Sequence, residues 1–306
     1  MQLTVLGSSA GGPFQGRNYT AQILKIENET YLIDCGEATQ HQLYHHRVRY
    51  DGMNQIFISH LHGDHVFGLM GVITSFCMKK RTEPLALYGP EGLRELIETM
   101  SRVSRVHYPY TLEIHELDTT VHQLVFETKH TEVWSIPLHH RMPCMGWLFK
   151  EKSRPANMIP EMIEAYNIHF TDIKKIKAGG DYTLPDGRVI PNSELTIPPK
   201  TPASYAFCSD TAPFEPVIEA VKGVTCLYHE ATFTNEHTEE AIYSHHSTAE
   251  QAAQIALAAG AQQLLLGHFS ARYKDVEQHL IEARAVFEAT NAVEEGGVYE
   301  IVGIMG

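Results

Sequence analysis

Short apolar or alternating runs, each closed by turn residues, set the rhythm of the first half of the chain. MQLTVLG (1–7), AQILKIEN (21–28) and ETYLIDCG (29–36) have the length and punctuation of strands. QIFISH (55–60) follows as a short buried-strand pattern. The stretch 64–78 reads as a helix with Asp64 in its first turn, where a carboxylate suits the helix dipole. Strand LALYG (85–89), helix PEGLRELIETM (90–100), strand-like TLEIHEL (111–117) and the pair VWSIPLHH (133–140) and GWLFKEK (146–152) continue the alternation. The second half resumes with strand SYAFCSD (204–210), a helix over 215–222 and strand VTCLYHE (224–230). STAEQAAQIALAAGA (247–261) is the clearest helix, with Ser247 or Thr248 as N-cap and Gly260 near its end. Strand QLLLGHFS (263–270) and a helix over about 276–290 complete the chain. Two halves of strands and helices, each with strand–loop–helix units, predict an α/β fold in which two sheets lie between helices.

The rhythm lapses between about 153 and 200. No long apolar period runs there, AGGDYTLPDGR sits in the middle and PPKTP at the end. From Lys152 to Lys200 seven Lys/Arg face six acids, whereas the whole chain carries a net charge of −13. An insertion projecting from a single domain spanning 1–306 fits this change of texture. The acidity argues against a general nucleic-acid coat but leaves room for an enzyme whose contacts are local. Five scattered Cys with no C-x-x-C pair fit free thiols in a reducing, cytoplasmic setting. No apolar run approaches the ~18–20 residues that span a bilayer, and MQLTVLGSSAGG lacks the basic start of a secretory signal.

Histidine changes the picture, with 19 copies. In SHLHGDH (59–65) a strand delivers His60 to a loop, His62 follows two residues on, and Asp64 and His65 stand at a helix start. Imidazoles and a carboxylate without thiolates suit Zn²⁺ or a similar divalent metal, and the segment predicts a metal-dependent hydrolase. A catalytic zinc takes about three protein ligands and keeps a position open, so four groups in one loop point to two metals. His139 and His140 after VWSIPL, Asp210 after SYAFCS and His268 after QLLLG each end a strand, where α/β proteins gather their sites.

H-x-H-x-D-H with a later His, Asp and His resembles the metallo-β-lactamase superfamily. LIDCGEATQHQL (32–43), SHLHGDHVFGL (59–69), CSDT (208–211), HEAT (229–232), HSTAEQAA (246–253) and GHFSARY (267–273) resemble, in order, the motifs of ribonuclease Z, the endonuclease that trims tRNA 3′ ends. The resemblance implies an αββα sandwich of two mixed sheets with an arm that grips tRNA. It implies two Zn²⁺ per subunit, one on His60, His62 and His140, the other on Asp64, His65 and His268, with Asp210 bridging. His140 is preferred to His139 because Gly146-Trp147 follows it as in the family. Catalytic roles fall to Asp64, which could accept a proton as well as bind metal, to His246 as general acid, and to Glu230 holding His246. His245 is read as a bystander.

PFQGRN (13–18) resembles the family's P-x-K-x-R-N loop, with Gln15 at the Lys position. Arg17 and Asn18 match that loop as substrate contacts. Arg272 in HFSARY could reach a phosphate or form an ion pair, and Lys174, Lys175 and Lys177 supply a basic cluster in the insertion, which lacks the family's Gly-Pro element. The implied partners are precursor tRNA and a second copy of the chain, one subunit's arm serving the other's site. The competing expectation is a dinuclear hydrolase of small phosphodiesters or other esters on the same fold.

Overall fold

The computed structural model describes residues 1–14 and 16–303. Two seven-stranded sheets form its centre. The first runs Val298–Glu300, Gln2–Gly7, Ala21–Ile26, Glu29–Cys35, Gln55–Phe57, Leu85–Pro90, Leu112–Leu117, antiparallel on its early side and parallel from Glu29–Cys35 onward. The second runs Thr290–Ala292, Gln263–Gly267, Cys226–Glu230, Ser204–Cys208, Met145–Glu151, Thr131–Pro137, Leu124–Glu127, and its parallel half lies at the other end of the order.

Side-chain alternation along each strand decides what faces what. Leu24, Tyr31, Ile33, Phe57 and Tyr88 join Trp147, Phe149, Tyr205 and Phe207 in one buried cluster between the sheets. Their neighbours Ile23, Leu32, Ile56, Ile58 and Leu87 point the other way. They pack with Leu43, Leu69, Val72, Phe76, Leu93 and Ile97 of the covering helices. On the far side Val217, Ala252, Ala256 and Ala283 cover the second sheet. Both outer layers are therefore helical, as the αββα expectation requires. Among the described residues no helix is long and apolar enough to cross a membrane.

Several helices differ from the sequence expectation. The helix expected over 64–78 is two, Gly63–Val66 and Leu69–Met78. The Gly68 amide leaves the helical ladder and donates to the Cys35 carbonyl at 2.9 Å. A Cβ on Gly68 would lie 2.0 Å from the Gly36 carbonyl oxygen, so the end of strand Glu29–Cys35 presses directly against the break. The last helix stops at Arg284 instead of continuing to about 290, because Thr290 pairs with Leu264 as the edge of the second sheet. Helix Thr39–His45 lies within a motif that carried no helix expectation.

The stretch 153–200, expected to be an insertion, has more order than its composition suggests. Short helices Pro160–Ala165, Phe170–Lys177 and Asn192–Leu195 and small strand pairs enclose their own cluster of Ile168, Ile176, Ile190 and Leu195, separate from the two main ones. The Asn192 amide ties it by donating to the carbonyls of Ile176 (2.6 Å) and Gly180 (3.0 Å).

His279 makes part of the fold pH-sensitive. It is fully buried, edge-on to Phe269 and Tyr273. Burial, then the Arg17 cation, pushes its pKa down to about 4. An unfolded histidine titrates near ~6.5, so the unfolded chain binds the extra proton between these values. The contribution is complete above about pH 6.5 and is lost as pH falls toward 4. At pH 5 the loss is on the order of 2 kcal/mol. Denaturant midpoints at pH 7 and pH 5 check this: the wild type should lose that much more than His279→Leu, and equal losses would refute it.

Candidate metal centre

Each candidate ligand leaves the end of a strand. His60 and His62 follow Gln55–Phe57, with Asp64 and His65 in the short helix Gly63–Val66 beyond them. His140 follows Thr131–Pro137, Asp210 follows Ser204–Cys208 and His268 follows Gln263–Gly267. Asp210 (φ 60°) and His268 (φ 56°) are left-handed, a conformation that Asp and His tolerate better than most side chains and that turns each out of its strand.

The donor atoms converge in two groups, His60, His62, His140 and Asp210, and Asp64, His65 and His268, each within 4.8 Å. Asp210 lies between them. Its Oδ2 is 3.6 Å from His60 Nε2 and 3.9 Å from His140 Nε2, while its Oδ1 is 3.1 Å from both His65 Nε2 and His268 Nε2. Asp64 Oδ2 stands 3.7 Å and 3.8 Å from the same two nitrogens. His139, by contrast, is exposed and its ring rests on Phe214 and His245, so the geometry selects His140.

Hydrogen bonds fix which ring nitrogens hold lone pairs. His65 Nδ1 donates to Asp34 Oδ2 (2.6 Å) and His140 Nδ1 donates to the His245 carbonyl (3.1 Å). Ser59 Oγ gives its proton to Asp34 (2.7 Å), so His60 Nδ1 donates to that oxygen at 3.0 Å. Thr232 Oγ1 likewise gives its proton to Glu230 (2.5 Å) and accepts from His268 Nδ1 at 2.9 Å. All four Nε2 lone pairs therefore point inward. His60 Nε2 lies 3.0 Å from His62 Nδ1, and His65 Nε2 3.3 Å from His268 Nε2. The inward lone pairs of His60, His65, His140 and His268, with His62 and two carboxylates beside them, fit divalent cations. The donor set of five imidazoles and two carboxylates suits a borderline metal such as zinc.

Electrostatics agree with this reading. Burial opposes ionisation of Asp210, and the surrounding histidines, His268 foremost, still hold it well below the usual carboxylate range. Asp64 is also held down, by His268 and His65 against its burial. Burial and the His65 charge push His60 down. His65 goes up despite burial because Asp210 and Asp34 draw a proton onto it. A cation binding at Nε2 takes that proton's place, so metal uptake releases protons.

Glu230, fully buried, accepts from the amides of Thr211 (2.8 Å), Thr232 (3.2 Å) and Ser247 (3.1 Å) and from His246 Nδ1 (2.7 Å). Burial disfavours the His246 cation, but the Glu230 carboxylate outweighs it and His246 is pushed up to about 9.

Curated relatives decide the family. A ribonuclease Z of Porphyromonas gingivalis is 43% identical over 291 residues, covering 95% of this chain and 96% of its own. One from Bacteroides fragilis is 43% identical over 294 residues, covering 96% and 97%. The chain belongs to the ribonuclease Z family. A family model described as anti-Pycsar protein Apyc1 also matches residues 1–152. Among solved structures, human tRNase Z short form superposes with a TM-score of 0.71 at 24% identity, covering 98% of this chain and 99% of that one. The metallo-β-lactamase fold protein YhfI from Bacillus subtilis gives 0.68 at 16%, covering 97% and 98%. These likenesses establish the fold, and membership of the ribonuclease Z family implies divalent metal binding, which the His/Asp cluster fits.

Other expected site residues of this ribonuclease Z are engaged differently. Asn18 donates from its side-chain amide to Glu295 Oε2 (2.7 Å), and Arg17 Nη2 donates to the Tyr273 carbonyl (2.5 Å), so both fasten the loop they belong to. Gln15 lies outside the described residues. Arg272 pairs with Glu240 at 3.3 Å and lies over the Phe233 ring. Lys174 and Lys175 are exposed and Lys177 half-buried on helix Phe170–Lys177, beside a cleft of ≈ 830 Å³ that contains none of the ligand residues.

Sequence reasoning missed Asp34, whose carboxylate inside the apolar run LIDC signalled a buried partner, and Thr232, the second residue after Glu230. It also missed the Gly11 amide, which donates to Asp64 Oδ2 at 2.9 Å, and Glu295, which accepts from the Ser8 and Asn18 amides. His245, expected to be a bystander, contributes its left-handed backbone (φ 59°), which aims the carbonyl at His140.

Proposed function

We propose that the chain is an endoribonuclease that removes the 3′ trailer from precursor tRNA, leaving a 3′-hydroxyl on the tRNA and a 5′-phosphate on the trailer. One observation carries this: in a ribonuclease Z relative, the two oxygens of Asp210 serve two separate groups of inward lone pairs. His60, His62 and His140 would hold one Zn²⁺, Asp64, His65 and His268 the other, with Asp210 shared. When bound, such a pair lowers the pKa of a shared water and stabilises the attacking and leaving oxygens of an in-line displacement at phosphorus.

The chain's own residues supply the rest. Asp64, oriented by the Gly11 amide, is the acceptor for the attacking water's proton. The leaving 3′ oxygen needs a proton, and His246 provides it from Nε2. Its Nδ1 is already committed to Glu230, which favours the imidazolium. Arg17, held by the Tyr273 carbonyl of HFSARY, and Asn18, held by Glu295, lie beside the incoming strand, and Arg272 exchanges Glu240 for a phosphate.

The insertion at about 153–200 acts as an arm. Lys174, Lys175 and Lys177 contact tRNA phosphates, and in a homodimer one subunit's arm serves the partner's site. The salt dependence of binding should scale with the few phosphates these lysines neutralise. Deleting the insertion should weaken precursor binding by about tenfold or more while sparing hydrolysis of bis(p-nitrophenyl) phosphate. Equal loss on both substrates would make it part of the core. The activity is tested by offering the metal-loaded protein precursor tRNA and the small diester side by side. Turnover of the diester with intact precursor would reverse the assignment.

A further inference from the structure

Beside Arg141, the residue after the ligand His140, stands an aromatic ring that the chemistry above does not use. Tyr243 is 79% exposed, near the end of helix Thr238–Ser244, and Ile242 next to it is 66% exposed. Exposure of two large side chains in succession brings no benefit to the fold. Yet the tyrosine is not loose. The Arg141 guanidinium lies 4.8 Å from its ring centroid, and Arg141 Nη2 donates to the Tyr243 carbonyl at 2.5 Å. Two residues on, the His245 carbonyl accepts from His140 Nδ1. The consecutive residues His140 and Arg141 are thus gripped by the carbonyls of 245 and 243, which ties the ring's position to that of a metal ligand. Arg141 covers part of the ring, and the exposed remainder is an amphipathic platform.

We propose that Tyr243 is a substrate-positioning residue that stacks on a nucleobase adjoining the scissile phosphate, with Arg141 backing the ring. The inference rests on the nuclease reading given above. A tyrosine face binds any base, and a cation on one side of the ring strengthens the platform without demanding a sequence. The base concerned is on the tRNA side of the cut. His246, three residues from Tyr243, serves the leaving 3′ oxygen, so the nucleoside carrying that oxygen lies on this flank. Stacking there would hold the 3′ end against the metal centre whatever the base.

The test is steady-state cleavage of precursor tRNA by wild type, Tyr243→Ala and Tyr243→Phe, each with bound metal measured. The same three proteins are then given a precursor made abasic at the nucleotide 5′ to the cut. Tyr243→Ala should raise KM about tenfold and lower kcat much less, while Tyr243→Phe stays near wild type. On the abasic precursor, wild type should show the same rise in KM and Tyr243→Ala no further one. Unchanged KM in Tyr243→Ala, equal loss in Tyr243→Phe, or additive losses on the abasic precursor would each overturn the stack. Absence of precursor cleavage by wild type would overturn the nuclease reading itself, and with it the stack.

Discussion

Asp210→Ala should empty the centre and abolish turnover together. The side chain is nearly fully buried, and its two oxygens reach both sets of histidines at the distances given above. Without it, two dications would sit in a nest of neutral imidazoles with one carboxylate, Asp64, left to balance them. Bound metal, measured by elemental analysis, should fall from about two per chain to below one. Precursor cleavage should fall on the order of 10³-fold or more. Asp210→Asn keeps the shape and tolerates the left-handed backbone, so it should fold as wild type while still losing metal. A fully loaded, active Asp210→Ala would show that the two groups are not bridged.

His246→Ala should separate rate from metal. If its Nε2 protonates the leaving oxygen, the chemical step slows by about 10²–10⁴-fold with metal content unchanged. The competing possibility is visible in the geometry, since His246, Asp210 and His268 also bring donor atoms within 4.8 Å of one another. A drop in bound metal would make His246 a ligand, and an unchanged rate would remove it from the mechanism. The hydrogen bond to Glu230 Oε1 argues for the acid role: Nδ1 is occupied and the carboxylate stabilises the charged ring.

What the sequence made legible is what the chain concentrates locally. The alternation that puts Tyr31 and Ile33 between the sheets and Leu32 under the helices can be read in one segment. SHLHGDH supplies four candidate ligands within six residues, and the other three candidates follow strands. The supports were harder to see because their partners are distant. Glu295 holds Ser8 and Asn18 across 287 and 277 positions, and Gly11 reaches Asp64 across 53. The broken helix at Gly68 has the same origin, a tertiary contact with Cys35 and Gly36 that no helical period encodes. The partners of Arg17 and Asn18 were hidden for a related reason: both look free in PFQGRN, but Tyr273 and Glu295 lie at the other end of the chain.

The most direct measurement is cleavage of a precursor tRNA with a 3′ trailer by metal-loaded wild type and by Asp64→Ala, with the ends of both products identified. The account predicts cleavage by wild type at the tRNA–trailer junction, a 3′-hydroxyl on the tRNA, a 5′-phosphate on the trailer, and loss of both products in Asp64→Ala. An intact precursor under conditions where the wild type hydrolyses a small phosphodiester would contradict it.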